Sequence, residues 1–324
     1  MLQLTAGFTQ LRTLAFSPDN RHLLAVGLRS RLGGLLRFSR VALWDLSDPT
    51  RTVSTAIDDR FDPIAGYFLP DGRLLGIDSQ ARWRACEVRG GRYRLVESGG
   101  HPARLEPMAV SPDGQWFAAI GRDGLVMMPL PENSRPGWSR EFENGLEVVE
   151  VAFSPASEVV SVVIRDRSGR AASVVAILDA DTGAYVRDLP PIPERLSPTG
   201  FEDVVMSAWS PQADMLAEIA HEGFLVLDVL TWTPVAIRRL ARESITRSLF
   251  APTGGRLVTA TTQGLIHFWD QDEWSSPLRV EDIDRPPSQS FDWGIGRIQA
   301  LAWSSDGSLA AAVGARGDIV VWDM

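Results

Sequence analysis

The sequence contains no lysine, and all 32 of its basic residues are arginine. This absence excludes Schiff-base catalysis, P-loop phosphate binding and protein-kinase chemistry, because each of them requires a lysine amine. Cysteine is almost absent as well, since Cys86 is the only one. A single cysteine can form neither an internal disulfide framework nor a cysteine-based structural zinc site.

Long apolar runs are also missing. The longest nearly apolar stretch, residues 171–178, is far shorter than the ~20 residues that a membrane-spanning helix needs. Residues 1–7 contain no basic residue and no long apolar stretch, which predicts that there is no secretory signal and that the protein is cytoplasmic. The net charge of −9 over 324 residues makes the chain as a whole a poor nucleic-acid binder, since such binding needs clustered cations.

The main feature that the sequence does contain is an internal repeat. An apolar segment, a turn related to Ser-Pro-Asp-Gly and a second apolar segment occur together seven times, most clearly around Ser111–Gly114. The second turn position falls at residues 18, 70, 112, 155, 211, 252 and 305, so the spacings are 52, 42, 43, 56, 41 and 53 residues. Proline fixes φ in such a turn, aspartate bonds the backbone and glycine supplies a positive φ. The flanking segments have strand length and no sustained helical period, so we predict an all-β chain.

A third segment of the repeat ends in Trp-Asp at Trp44–Asp45, Trp269–Asp270 and Trp322–Asp323. Repeat length, turn and Trp-Asp ending together resemble the WD-repeat family of β-propellers over essentially the whole chain. The resemblance implies a single domain that forms a seven-bladed β-propeller with four antiparallel strands in each blade. The family's Gly-His pair fits only at Gly100–His101, so we expect apolar packing to hold the blades together. The expected blades are residues 9–58, 61–98, 104–143, 147–189, 203–240, 244–282, and 297–324 together with 1–6.

The last repeat ends directly after its third strand, so its blade lacks a fourth strand of its own. Leu2–Thr5 precedes the first blade and has no partner there. We therefore predict that Leu2–Thr5 pairs antiparallel with the segment around Val320–Trp322 as the outer strand of the seventh blade. This pairing would close the ring and cover an exposed strand edge.

The three longest repeats contain insertions. The extra residues are mainly 29–39, between the second and third strands of the first blade, and 190–203 and 282–297, in the links into the fifth and seventh blades. A smaller part of the fourth repeat's excess lies at 165–170. Because successive turns of a blade alternate between its two faces, we expect all three insertions on one face. Insertions on one face of a repeat array typically mark the binding face.

Charge and aromatic residues distinguish these insertions. Between Asp19 and Asp45 there is no acidic residue, while five arginines are present. This pattern predicts contacts with an acidic partner surface, and an arginine-rich loop without a partner is the alternative. Aromatic residues and arginines concentrate binding energy at interfaces. The candidate partner-binding residues are Arg29, Arg31, Arg37, Arg40, Arg195, Phe201, Arg285, Phe291 and Trp293. For Trp293, packing onto the protein's own surface is an equal alternative.

Catalytic motifs are not found. Each of the four histidines (His22, His101, His221 and His267) is isolated in the sequence, and neither Gly-x-Ser-x-Gly nor His-Glu-x-x-His occurs. Gly294-Ile295-Gly296 lacks the third glycine of a dinucleotide site, and Asp270–Glu273 lacks the spacing of a calcium loop. We therefore predict no catalytic residue, no metal and no cofactor.

The sequence favours a non-catalytic protein–protein interaction platform, acting as a scaffold, sensor or adaptor subunit of a larger hetero-complex, with the ring itself monomeric. One alternative is a propeller hydrolase or lyase with a site in the central channel, although the inner strands read as apolar and only His101 lies near one of their ends. The other is a binder of anionic ligands or nucleic acid that uses Arg29–Arg40. The lysine-free composition is typical of a high-GC bacterial coding sequence.

Overall fold

The repeated turns are built by the residues that the sequence repeats. In the turn at Ser111, the Ser111 hydroxyl donates to Asp113 Oδ1 (2.5 Å) and accepts the Trp116 N–H (2.8 Å). Gly114 adopts φ +68° there, and its N–H donates to the Ser111 carbonyl (2.8 Å). Ser111 is only 2% exposed, so its buried hydroxyl provides hydrogen bonds to polar groups of the turn that water cannot reach.

The computed structural model describes residues 2–5, 7–31, 36–48, 52–53, 61–89, 92–101, 105–122, 124–130, 136–143, 145–168, 173–189, 204–240, 243–274 and 282–324. The first strands along the chain are β1 (Leu2–Thr5), β2 (Gln10–Phe16), β3 (His22–Arg31), β4 (Leu36–Asp45), β5 (Thr52–Val53), β6 (Pro63–Phe68), β7 (Leu74–Asp78), β8 (Arg82–Arg89) and β9 (Arg92–Gly100). They are followed by β10 (Glu106–Val110), β11 (Trp116–Ile120), β12 (Gly124–Pro129), β13 (Trp138–Glu141), β14 (Leu146–Phe153), β15 (Val159–Asp166), β16 (Val174–Asp179) and β17 (Tyr185–Asp188). The remaining strands are β18 (Val204–Trp209), β19 (Met215–Ala220), β20 (Gly223–Asp228), β21 (Thr233–Arg239), β22 (Ile245–Phe250), β23 (Arg256–Thr261), β24 (Leu265–Asp270), β25 (Gln289–Asp292), β26 (Ile298–Trp303), β27 (Leu309–Gly314) and β28 (Asp318–Asp323).

These strands form seven antiparallel sheets of four strands each. Blades 1 to 6 take their strands in chain order, from β2–β5 through β22–β25, and blade 7 consists of β26, β27, β28 and β1. The described residues contain one short 3₁₀ helix, Gln271–Glu273, and no α-helix. Seven four-stranded sheets of this kind are the blades of a seven-bladed β-propeller, so the predicted fold class is confirmed. In the described part of the chain, no helix has the length and apolar character needed to span a membrane.

The chain divides into two compact units, which are described separately. The first unit contains blades 1, 2 and 7, and the second contains blades 3 to 6. In the first unit, β1 pairs antiparallel with β28, from Leu2 opposite Val321 to Thr5 opposite Asp318. Leu4 is 5% exposed and belongs to the same apolar cluster as Ile319. The predicted N-terminal strand of blade 7 is confirmed.

Apolar packing joins neighbouring blades within each unit, as predicted. In the first unit, one cluster combines Leu14 and Trp44 of blade 1 with Val313 of blade 7. In the second, Trp116 of blade 3 and Val162 of blade 4 share another cluster. Trp44 and Trp116 are each 1% exposed, and full burial of a large apolar side chain contributes roughly 1.5–3 kcal/mol.

The first strands of six blades carry a one-residue bulge at the same place, a feature that the sequence reading did not predict. The pairing register shifts between Leu11 and Thr13, Pro63 and Ala65, Val148 and Glu150, Val204 and Met206, Ile245 and Arg247, and Ile298 and Ala300. The residue after the bulge accepts a backbone N–H from the next blade in two cases. Thr13 Oγ1 accepts the Gly66 N–H (3.4 Å), and Glu150 Oε2 accepts the Ser207 N–H (3.1 Å).

The insertion at 29–39 is mostly strand. β3 and β4 pair from His22 opposite Asp45 to Arg31 opposite Leu36, whereas β2 pairs with β3 only as far as Leu28. The last three pairs therefore extend past β2 as a two-stranded ribbon. We name this segment, residues 29–31 and 36–38, the blade-1 ribbon.

The insertion at 282–297 is placed differently from the prediction. β25 pairs with β24, from Leu265 opposite Asp292 to Phe268 opposite Gln289, so it is the outer strand of blade 6. The extra residues, 271–288, therefore connect the third and fourth strands and are not a link between blades. Strand alternation places this blade-6 connection at the end of the sheet that holds the Ala251–Gly255 turn. The prediction that this insertion shares a face with the others is wrong, because the extra residues precede the fourth strand of blade 6 and do not follow it. The sequence did not reveal this strand, since all four β25 residues are exposed and β25 lacks the apolar pattern of a strand.

Candidate interaction surfaces

The blade-1 ribbon carries three of the predicted partner-binding arginines on its backbone. Arg29 stands opposite Phe38, Arg37 opposite Ser30, and Arg31 opposite Leu36. The side chains of these arginines lie outside the described residues. Arg40 lies within the sheet, opposite Gly27. Its side chain is half-buried and already interacts with another group of the protein.

Two other predicted residues, Arg195 and Phe201, lie outside the described residues. Arg285 lies in the blade-6 connection and is held by its own segment. Its Nη1 donates to the Glu273 carbonyl (3.0 Å) and lies 3.9 Å from Asp282 Oδ1. Arg285 thus ties the two described parts of the connection together, although 45% of its side chain remains exposed.

The same connection is fastened to the outer strand of blade 5. The Arg239 N–H donates to the Ile283 carbonyl (2.7 Å), and the Arg239 guanidinium makes a bidentate pair with Asp284, with both bonds at 2.9 Å. Ile283 is 4% exposed and belongs to an apolar cluster that contains residues of blades 4 and 5. Residues 282–284 therefore close over the edge of β21 and are not a free binding loop.

The two remaining predicted residues pack against their own surroundings. Phe291 makes an edge-to-face contact with Phe268 (5.6 Å between centroids, 88°) and stays 43% exposed. The Trp293 ring lies against Trp322 in the first unit, with centroids 3.6 Å apart and a tilt of 54°. For Trp293, the geometry matches the alternative in which the ring packs onto the protein itself.

A hydrogen-bonded set of Ser290, His267 and Glu243 was missed by the sequence reading. His267 Nδ1 lies 2.8 Å from Ser290 Oγ, and Nε2 lies 2.8 Å from Glu243 Oε2. One tautomer satisfies both contacts, with Nε2–H donating to Glu243 and Nδ1 accepting from Ser290. His267 and Glu243 line a cleft of about 440 Å³ beneath the blade-6 connection. Glu243 lies 24 residues before His267 in the sequence, and Ser290 lies 23 residues after it. Only the pairing of β24 with β25 and the path of the link before β22 bring the three side chains together, so the sequence alone does not reveal the set.

A second polar set lies between blades 4 and 5. Trp209 Nε1 donates to Ser161 Oγ (3.0 Å), which lies 2.8 Å from Ser207 Oγ. The Ser207 hydroxyl and its backbone N–H both donate to Glu150 Oε2, each at 3.1 Å. Burial raises the pKa of Glu150 to about 7, while the bonds from Ser207 and the charge of Arg247 act in the opposite direction. The expectation of apolar inner strands is therefore wrong at Glu150 on β14 and at Arg247 on β22.

A second buried carboxyl, Glu218, lies on the middle of blade 5. It is 3% exposed, and its cross-strand partners are Ser207 on β18 and Leu225 on β20. Burial raises its pKa to about 8. Among the described residues, no group of three or more His, Cys, Asp or Glu side chains is arranged to hold a metal ion.

No family model matches the chain. Three curated proteins are similar to it over 240 residues: echinoderm microtubule-associated protein-like 2 from Rattus norvegicus at 26% identity, and the proteins of the same name from Mus musculus and Homo sapiens at 24% each. The matched region covers 72% of this chain and 34% of each relative, so the chain spans about a third of the length of these relatives. Together with the seven four-stranded sheets, this similarity supports a β-propeller of the WD type.

Proposed function

We propose that this chain is a non-catalytic protein-interaction module that serves as a scaffold or adaptor subunit of a larger assembly. The observation that carries the proposal is the blade-1 ribbon, which extends past β2 and contains three arginines in a chain of net charge −9. Three arginines within one short ribbon concentrate positive charge in a single segment, which suits an acidic protein surface. The partner we propose is therefore a protein with an acidic patch.

The relatives suggest a first partner to test. The name of these relatives contains "microtubule-associated", which makes a protein filament one class of partner to test. We include microtubules in the assay for this reason, next to partners captured from native lysate.

The test is a triple charge reversal, R29E/R31E/R37E, in the full chain. We expect it to abolish capture of the acidic partner, measured by pull-down with mass spectrometry and by co-sedimentation with microtubules, while the melting temperature changes little. The matched control is R12E/R94E/R316E, which alters three exposed arginines by the same net charge. Equal loss of capture in the control would refute the proposal, because the effect would then come from net charge and not from the ribbon.

The contact between Ser290 and His267 favours one second candidate, an esterase-type hydrolase. In that reaction His267 Nδ1 would take the Ser290 hydroxyl proton while Oγ attacks an ester carbonyl, and Glu243 would hold the ring and its charge. His267 would then give the proton to the alcohol that leaves as the ester C–O bond breaks, and water would hydrolyse the acyl-serine. The same contacts also tie β25 to β24, which is a purely structural role. Labelling by a fluorophosphonate probe that is lost in Ser290→Ala would favour the hydrolase, and an unlabelled wild-type protein would remove it.

A further inference from the structure

The turns that follow β16 and β20 are equivalent, and they share their hydrogen bonds. In blade 4, Asp179 Oδ1 accepts the Thr182 N–H (2.8 Å) and hydroxyl (2.6 Å). In blade 5, Asp228 Oδ1 accepts the same two groups of Thr231, at 2.7 and 2.8 Å. The same hydrogen bonds hold the backbone of both turns, so these bonds do not dictate which side chains stand at the other positions of the turn.

Two positions differ strongly between these turns. Leu230 replaces Asp181, whose carboxylate accepts the Trp116 indole N–H (2.9 Å) in blade 4. Leu230 is 90% exposed, whereas the other exposed large apolar residues described are 43–51% exposed. Trp232 replaces Gly183 and adopts φ +56°, a left-handed conformation that is sterically unfavourable for an indole-bearing residue.

The residue that covers each turn has changed as well. In blade 4, the Trp138 ring lies against Gly183, where an added Cβ would approach a ring atom to 2.6 Å. At the equivalent place on β17, Arg187 lies over the Trp232 ring, with 4.8 Å from its guanidinium carbon to the centroid. Both sets are at corresponding register positions, since Trp138 pairs with Met127 and Arg187 pairs with Ile177. At the blade-4 turn the large ring, Trp138, therefore belongs to the neighbouring strand β13, whereas at the blade-5 turn the large ring, Trp232, belongs to the turn itself.

Arg187 has no carboxylate partner within the described part of the chain, and its contact there is with Trp232. Next to it on β17, the bulged Val186 is 51% exposed. We name Val186, Arg187, Leu230 and Trp232 the Leu230 patch. It combines the exposed Val186 and Leu230 with the half-buried Trp232 ring and with a guanidinium that has no ion-pair partner among the described residues.

Resting on the proposed interaction function, we propose that the Leu230 patch docks a protein segment in which a large apolar side chain is flanked by a carboxylate. The apolar side chain would pack against Leu230 and Trp232, and the carboxylate would pair with Arg187. A turn held by its own hydrogen bonds presents Leu230 in one position, so little ordering is needed on binding. Strain at a non-glycine left-handed residue persists where the surrounding structure holds it, and such sites cluster at ligand-binding surfaces.

The test uses an array of decapeptides that contain one Leu, Phe or Trp flanked by Asp or Glu, with matched arrays that carry Lys or Ser instead. We expect the full chain to bind the acidic peptides at least tenfold more tightly than the Lys peptides, measured by fluorescence anisotropy. L230D/W232G, which installs the two blade-4 residues, should lose this binding while the protein still unfolds in one cooperative transition. L230D alone, which keeps the packing of Trp232 against the apolar cluster of blades 4 and 5, should lose most of the binding at an unchanged melting temperature. Arg187→Glu should reverse the charge preference. Leu95→Asp, at a residue that is 51% exposed in the first unit, is the control and should bind like wild type.

Three results would overturn the proposal: binding that L230D/W232G retains, an absence of binding to every peptide, or a charge preference that Arg187→Glu does not change. A concentration-dependent dimer that L230D/W232G abolishes, with no peptide bound, would also overturn it and assign the patch to a second copy. R29E/R31E/R37E should bind the peptides normally. If peptide binding fails while capture through the ribbon persists, only this inference fails and the proposed function stands.

Discussion

Replacing Glu218 by glutamine should remove a pH-dependent loss of stability. Glu218 is 3% exposed on β19, and Leu216 and Ala220 lie two residues away on the same face of the strand, both fully buried. Burial without an opposing charge raises its pKa from 4.5 to about 8, so the neutral carboxyl is the form that the fold accommodates. Glutamine has almost the same shape and cannot ionise.

The sign and size follow from proton linkage. Because the folded-state pKa is raised, the stability that the neutral group contributes is complete below about pH 4.5 and is lost as the pH rises through 8. A shift of this size corresponds to about 5 kcal/mol as an upper limit at 1.36 kcal/mol per unit, and structural relaxation reduces it to a few kcal/mol. We therefore expect E218Q and wild type to have similar free energies of unfolding at pH 5, and E218Q to be more stable by a few kcal/mol at pH 9.

The assay is urea unfolding of the full chain, followed by tryptophan fluorescence at pH values from 5 to 9. Glu158→Gln is the matched control, because the Glu158 side chain is exposed and keeps its hydration when the chain folds. If the difference between E218Q and wild type is the same at pH 5 and pH 9, the linkage argument is refuted. A difference that grows equally in the Glu158 variant would refute it too, since burial would then not be the cause.

Three further variants test the fold. Deleting residues 1–6 should lower the melting temperature, because it removes β1 and exposes the edge of β28; an unchanged melting temperature would contradict the closing role of β1. Ser161→Ala should cost about 1–3 kcal/mol in urea unfolding, since it leaves the partly buried Trp209 indole N–H without its acceptor. A loss below roughly 0.5 kcal/mol would argue against that bond. Asp284→Ala should speed limited proteolysis within residues 271–288, because it removes the ion pair with Arg239 that fastens this connection. The free energy of unfolding should fall by only about 1 kcal/mol, since that pair is partly exposed. Protection equal to wild type would show that other contacts hold the connection.

Most of the fold was predictable because its turns and buried strands leave strong local signals. In the Ser111–Gly114 turn, proline fixes φ and glycine supplies the positive φ that the turn needs, while the apolar segments beside it have the length and composition of strands. β25 was missed because its side chains are exposed, so that nothing in its pattern distinguishes a strand from a loop. Its membership in blade 6 depends on the pairing with β24, which is a tertiary contact.

The candidate site was less predictable than the fold. Arginines could be located in the sequence, but whether each one is free depends on which carboxylates the fold brings close. Arg285 lies near the carboxylates of Glu273 and Asp282. Arg187, which no sequence motif marks as a binding residue, contacts the Trp232 ring and has no carboxylate partner among the described residues. The informative quantity is therefore the local charge balance after folding, which a count of charged residues along the chain does not contain.

Because the blades share one backbone pattern, comparing equivalent positions shows which side chains the fold requires and which it does not. The position after the first-strand bulge is occupied by Thr13, Glu150 and Arg247 in three blades, with the same backbone register in each. Since one backbone accepts a hydroxyl, a carboxylate and a guanidinium there, the bulge itself does not select the side chain. Thr13 already shows that a neutral hydroxyl can accept the neighbouring N–H, so the ionisable carboxyl of Glu150 adds a desolvation cost that folding does not require. The same reasoning applies to Leu230 and Trp232. A residue that differs from its equivalents in the other blades, while the backbone stays the same, is a candidate for a role in binding or catalysis.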